Sequence, residues 1–139
     1  MPAKTRTAAP RHRLLIVDDE ESVRLLLARL ASRSLKAEVQ LAGTCEQALR
    51  LARNYAYDAI LLDLMMPGIG GFEVLKEIRA GSANMATPIL IISALEDLAT
   101  NERCLAAGAS GFLVKPVEQR ALEIAVKSLL AGRGRPKTT

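Results

Sequence analysis

No tryptophan occurs in the 139 residues, and aromatic residues make up only 3% of them. Large rings therefore cannot carry a core, which must be filled by Leu, Ile, Val and Ala. Cysteine is nearly as scarce: Cys45 and Cys104 are the only two, too few for a disulfide framework and without metal-ligand spacing. They read as small buried apolar residues in a reducing setting. No apolar run approaches the ~18 residues of a membrane span, and no N-terminal apolar stretch marks an export signal. The expectation is a soluble cytoplasmic protein with no membrane contact. No GxxxxGK phosphate loop occurs either, which removes the commonest nucleotide-hydrolysing class.

What is present is ordinary globular composition, 50% apolar and 24% charged, enough for one domain with a proper core. Charge is unevenly spread. Lys4, Arg6, Arg11 and Arg13 near one end and Arg133, Arg135 and Lys137 near the other contribute +7 to a formal net charge of +4, so segment 14–131 carries −3. "MPAKTRTAAPRH" lacks periodicity and reads as a disordered basic arm over residues 1–12; "GRGRPKTT" is a basic tail over 132–139, leaving 13–131 as the domain.

Within that domain the pattern alternates. "RLLIVDD" opens with a short run of a fully buried strand, and Val23, Leu26, Leu27 and Leu30 then recur at i, i+3, i+4, i+7, the stripe of an amphipathic helix. "KAEVQLA" reads as a strand, and Thr44 with Gln47 forms a capping box ahead of a helix with Ala48, Leu49 and Ala52 on one face. The remaining units are "DAILLD", a helix with Phe72, Leu75 and Ile78 inward, "TPILIIS", a helix ending at Gly108, "GFLVK", and a final helix with Leu122, Ala125, Val126 and Leu129 inward. Strands that are continuous apolar runs need cover on both faces. Right-handed crossovers supply it, giving an α/β fold with a doubly wound, five-stranded parallel sheet and five helices.

Such sheets bind ligands beyond the carboxyl ends of their strands. Strand one ends in Asp18-Asp19-Glu20, strand three in Asp63, strand four in Ser93-Ala94, and strand five in Lys115-Pro116. Singly, each is an ordinary loop or cap residue. Together they converge on one edge. Crowded carboxylates raise one another's pKa unless a hard divalent cation lies among them, and Mg²⁺ suits oxygen ligands, with positions left open for a phosphoryl group. Lys115 offers a point charge and Ser93 a hydroxyl for the phosphoryl oxygens, while Asp63 is the candidate nucleophile that would carry the group as an acyl phosphate.

"LLIVDDE", "ILLDLMMPGIGGFEVL", "PILIISA" and "GFLVKP", in this order and spacing, resemble the receiver domain of two-component response regulators, the family that includes the chemotaxis regulators. The resemblance covers about Arg13 to Leu130. It implies a flavodoxin-like strand order 2-1-3-4-5, an acid pair Asp18 and Asp19, and Mg²⁺ held directly by Asp19, Asp63 and the backbone carbonyl of Met65. It further implies phosphorylation of Asp63 by a sensor histidine kinase or a histidine phosphotransfer protein, with Ser93 and Lys115 on the phosphoryl group and a cis peptide at Lys115-Pro116. Ser93 and Phe112 would form the switch, reshaping the face made by the fourth helix, fifth strand and fifth helix. Such a module catalyses only its own phosphorylation and dephosphorylation and is otherwise no enzyme. In "GIGG", Gly70 stands where many relatives have an acid, a change expected to cost only a few tenths of a kcal/mol at a helix N-cap.

Two enzyme readings fare poorly. A flavodoxin-like nucleotide binder needs a neutral loop after strand one, where Asp18-Asp19-Glu20-Glu21 would repel phosphate. An aspartate-nucleophile phosphatase would want an acid two residues after Asp63, where Met65 stands. Output has three readings: a stand-alone receiver acting through a downstream protein or a phosphorylation-favoured homodimer, a receiver whose Arg133-Gly134-Arg135-Pro136-Lys137 tail contacts DNA like an AT-hook, or a receiver belonging to a longer regulator. No effector domain follows Leu130, and the first reading is preferred. Ile124 and Leu130 mark a second apolar stripe on the last helix as its contact face. Met65 and Leu95, apolar neighbours of the site, are expected to shield the acyl phosphate and make its hydrolysis slow.

Overall fold

The apolar runs form five strands: β1 (Arg13–Val17), β2 (Glu38–Ala42), β3 (Ala59–Leu62), β4 (Ile89–Ser93) and β5 (Gly111–Val114). Between and after them lie α1 (Glu21–Leu35), α2 (Cys45–Asn54), α3 (Gly70–Gly81), α4 (Leu98–Ala106) and α5 (Gln119–Arg133). They are taken from a computed structural model in which residues 12–94 and 97–133 are described. The arm before His12, the tail after Arg133 with its AT-hook-like reading, and Leu95 lie outside the described residues.

All strand pairs are parallel and the order is β2-β1-β3-β4-β5, so the direction of winding reverses between β1 and β3. Every residue of the central β3 and β4 is buried, whereas the edge strands β2 and β5 are only partly so. Successive side chains point to opposite faces, and each face builds its own core. Leu15, Val17, Ile60, Leu62, Ile89 and Ile91 pack under α2, α3 and Cys104 of α4. Leu14, Ile16, Leu61, Leu90 and Ile92 pack under α1 and α5.

Three local expectations need correction. Leu26, expected inward, is 43% exposed, because the packed stripe of α1 runs through Val23, Leu27, Leu30 and Ala31 and leaves Leu26 at its edge. Leu130, expected on an outward stripe, follows Leu122 and Val126 at four-residue steps and packs with them, while Ile124 stays exposed. Thr44 Oγ1 accepts from the Gln47 amide as a cap should, but Gln47 Oε1 returns to the Gly43 amide instead of that of Thr44.

At the amino ends of the strands, away from the acidic cluster, a buried polar knot ties the layers together. Asn84 donates to the carbonyls of Ala52 and Tyr55, and its Oδ1 accepts from the Tyr57 amide and Thr87 Oγ1. The Tyr57 hydroxyl donates to Gln40 Oε1. Arg79 closes this end by donating from Nε and Nη2 to the Gly108 carbonyl, joining α3 to the turn after α4. Among the described residues, no helix is long and apolar enough to cross a membrane.

Candidate functional site

The parallel ladder itself places the charged groups, because its last rungs involve their backbones. Asp18 N donates to the Ala42 carbonyl at 3.1 Å, Asp63 N to the Val17 carbonyl at 2.9 Å, and Lys115 N to the Ser93 carbonyl at 2.9 Å. Each residue directly follows, or ends, an apolar strand whose burial fixes its register. The side chains of Asp18, Asp63 and Ser93 are buried, and Asp19 is exposed beside them. One carboxylate oxygen each from Asp18, Asp19 and Asp63 can be chosen so that all three lie within 4.8 Å of one another.

Asp63 is held from two sides. The Met65 amide donates to Oδ1 at 3.0 Å and Lys115 Nζ to Oδ2 at 3.3 Å. Burial nonetheless pushes its carboxyl above the ordinary value of 3.8; the Met65 amide opposes this, the Asp18 charge adds to it, and Lys115 opposes it. Lys115 Nζ also lies 2.8 Å from Asp18 Oδ2, an ion pair at contact distance. Burial alone would push the ammonium down, but contact with the two acids outweighs that and its pKa is raised.

Oδ1 of Asp18 accepts from the Glu20 amide at 2.9 Å, and its buried Oδ2 is met by the Lys115 ammonium at 2.8 Å. One ammonium against three gathered carboxylates leaves negative charge that suits a further cation. The donor set is all oxygen. It fits Mg²⁺, with Asp18, Asp19 and Asp63 as the residues that would hold it and a backbone carbonyl such as that of Met65 as a further donor.

The Lys115-Pro116 peptide is cis. Phe112 pairs with Ile91 in register and is half-buried against the core under α2, α3 and α4. The Met65 side chain, next to the acid it serves through its amide, is 59% exposed.

Two contributors escaped the sequence reading. A Cβ on Gly71 would run into the Asp63 carbonyl and Leu64 Cα, so only glycine lets α3 start against the backbone that carries Asp63. Gly70 has φ +86°, and the helix begins with it after Ile69, so an acid there would be strained instead of nearly neutral. Arg24 of α1 donates from Nη1 to the Asp18 carbonyl at 2.7 Å. A helix-face arginine gives no sequence signal for that contact; the close approach at Gly71 was hinted at only by the doubled glycine.

Residues 14–127 match the response regulator receiver domain. The chain is 39% identical over 120 residues to the probable transcriptional regulator ycf27 of Cyanidium caldarium, covering 86% of this chain and 46% of that one. It spans about half the length, or less, of the curated relatives it matches. Among solved structures it is similar to the chemotaxis protein CheY4 of Vibrio cholerae, 30% identical with a TM-score of 0.82 over 87% of this chain and 100% of that one. It is also similar to the receiver domain of the sensor histidine kinase PA1611 of Pseudomonas aeruginosa, 30% identical with a TM-score of 0.79 over 88% and 99% of the two chains; that structure has a magnesium ion coordinated in its active-site cleft. The chain belongs to the receiver domain family of response regulators, the phosphorylation-dependent signalling switches of two-component systems. These are signalling modules that interact with histidine kinases and downstream effectors.

Proposed function

We propose that Asp63 is the phosphoacceptor, that Asp18, Asp19, Asp63 and the Met65 carbonyl hold Mg²⁺, and that Ser93 and Lys115 bind the phosphoryl oxygens. The observation that carries this reading is the meeting of three carboxylates within 4.8 Å, two of them buried, with the Lys115 ammonium against the buried pair. Bound Mg²⁺ would neutralise charge on the phosphoryl oxygens.

The chain's own residues do the rest. The Met65 amide on Asp63 Oδ1 and the Lys115 ammonium at Oδ2 orient the carboxylate. An Asp63 oxygen forms the O–P bond as the P–N bond of a phosphohistidine donor breaks; the electron pair of that bond leaves on the imidazole nitrogen, which takes a proton from water. Lys115 then turns from the carboxylates to the transferred group, and Ser93 and Phe112 follow, shifting the α4-β5-α5 face between two populations. The donor is a sensor histidine kinase or a histidine phosphotransfer protein, and the output is a downstream protein or a second copy of the chain. Residues 13–131 act as the receiver unit, and the two buried free cysteines suit a reducing cytoplasm.

Incubation with acetyl phosphate and Mg²⁺, followed by borohydride trapping, should label Asp63 alone. Labelling that persists in Asp63→Ala, or that proceeds with the divalent metal chelated, overturns the assignment.

A further inference from the structure

The loop between β1 and α1 carries two of the three acids, yet its helix starts without a side-chain cap: Glu20 occupies the N-cap position and makes no capping hydrogen bond. Asp18 Oδ1 braces the loop from within by accepting from the Glu20 amide. The Asp18 carbonyl is engaged by Arg24 Nη1 at 2.7 Å. That carbonyl belongs to the peptide plane joining Asp18 to Asp19. Fixing a peptide plane at its oxygen fixes the position of the next Cα and the line of its N–Cα bond, which leaves the side chain only rotation about that bond and its own torsions. Among the described residues, no hydrogen bond holds the Asp19 carboxylate itself, so its aim depends on the backbone beneath it.

The arginine is placed by the neighbouring strand. A Cβ on Gly43, the residue after β2, would lie 2.7 Å from Arg24 Nη1 and 3.2 Å from Cζ. The guanidinium therefore occupies the space that any larger residue at 43 would fill, across the β1–β2 seam where Asp18 N donates to the Ala42 carbonyl. A planar fork has a shape that a lysine ammonium cannot reproduce there.

We propose that Arg24 is a positioning residue for the metal-binding acids: seated over Gly43, it holds the Asp18 carbonyl and so anchors the backbone from which the Asp19 carboxylate reaches the site. This rests on the reading of Asp18, Asp19 and Asp63 as the Mg²⁺ site. The role is distinct from that of Lys115, which contacts the carboxylates directly, because Arg24 acts through the main chain. Partners that orient ligands in this way typically account for 10- to 100-fold in metal affinity. As the contact here is one step further removed, through backbone, the lower end of that range is expected.

The test is calorimetric titration of the whole chain with Mg²⁺. Arg24→Lys, which keeps the charge, should weaken binding about 10-fold. Gly43→Ala, which keeps Arg24 but takes its seat, should weaken it by a similar factor. In the double variant the losses should not add, since either change alone already frees the carbonyl. Unchanged affinity in Arg24→Lys, or losses that add in the double variant, overturns the inference while leaving the metal site standing. Failure of the wild-type chain to bind Mg²⁺ at all overturns both.

Discussion

Lys115 Nζ sits 2.8 Å from Asp18 Oδ2, so the cation proposed to serve a phosphoryl group contacts an acid of the proposed metal site. The same ammonium reaches Asp63 Oδ2 at 3.3 Å. A positive charge among the ligands of a divalent cation competes with it. Lys115→Ala should therefore bind Mg²⁺ more tightly than the wild type, by about 3- to 10-fold, where tenfold corresponds to ~1.4 kcal/mol. It should still lose signal output. Calorimetric titration checks the first half, and weaker Mg²⁺ binding in the variant would show that Lys115 organises the acids instead of competing with the metal.

The raised pKa of Asp63 has a direct consequence for stability without metal. Burial is the largest cause, and its direction means that the folded state binds the Asp63 proton more tightly than the unfolded chain does. The contribution of Asp63 to stability is then fullest below its ordinary value of 3.8 and is lost as pH rises through the higher folded value. Above that window the ionised carboxylate destabilises the apo protein. Asp63→Asn should raise the metal-free unfolding midpoint at pH 7 by roughly 3–5 °C, and the difference should shrink as pH falls toward 3.8. Mg²⁺ should narrow the gap by stabilising the wild type more. A midpoint in Asp63→Asn that is unchanged or lower at pH 7 contradicts this account.

The acidic cluster could be read in the sequence because a parallel sheet delivers all its strand ends to one edge, and Asp18, Asp63, Ser93 and Lys115 each end or directly follow an apolar run. Only the order of apolar runs was needed. Arg24, Gly71 and Asn84 could not be read, because they act on backbone: Arg24 on a carbonyl, Gly71 by close approach, Asn84 on two carbonyls and an amide. Backbone groups are the same at every position, so sequence carries no mark of which one a side chain will meet. Leu26 and Ala31 show a second limit. Leu26 stands three residues after Val23 and Ala31 four after Leu27, so both fit a helical period, and the sheet's position, not the pattern, selects Ala31 for burial.

Leu98, Leu105, Val114 and Ile124 are 73%, 52%, 40% and 58% exposed. They belong to α4, β5 and α5, the face expected to change on phosphorylation. Exposed apolar residues gathered on contiguous elements mark a contact surface. Beryllofluoride with Mg²⁺ should raise the mass measured by light scattering toward that of a dimer, and Ile124→Asp should prevent the rise without altering phosphorylation of Asp63. An unchanged mass with beryllofluoride would rule out the homodimer output.

The knot around Asn84 predicts a stability effect separable from chemistry. Asn84 is fully buried and serves Ala52, Tyr55, Tyr57 and Thr87 through one amide. Asn84→Ala strips the Ala52 and Tyr55 carbonyls and the Tyr57 amide of this partner, at ~1–3 kcal/mol for each group that no water reaches, while Thr87 Oγ1 keeps the Tyr57 carbonyl. A net loss of ~3 kcal/mol is expected in chemical denaturation, while acyl phosphate formation at 25 °C persists in the folded fraction. A loss under ~1 kcal/mol would mean that water replaces the amide.

Met65 is expected to bear on the lifetime of the phosphorylated state. Its amide donates to Asp63 Oδ1 while its thioether side chain lies at the rim, 59% exposed. An acyl phosphate is hydrolysed when water reaches phosphorus in line with the aspartyl oxygen, so side chains at that approach either orient the water or leave it unheld. A thioether is a poor partner for water, and Leu95, two residues after Ser93, offers none. Slow autodephosphorylation follows. Met65→Asn keeps the backbone amide on Asp63 and adds a donor and an acceptor beside the phosphoryl group; combined with Leu95→Glu it should speed phosphate loss ~10-fold, or about 1.4 kcal/mol of barrier. Release of labelled phosphate at fixed Mg²⁺ measures this. An unchanged or slower rate would assign control of water access to groups other than these two side chains.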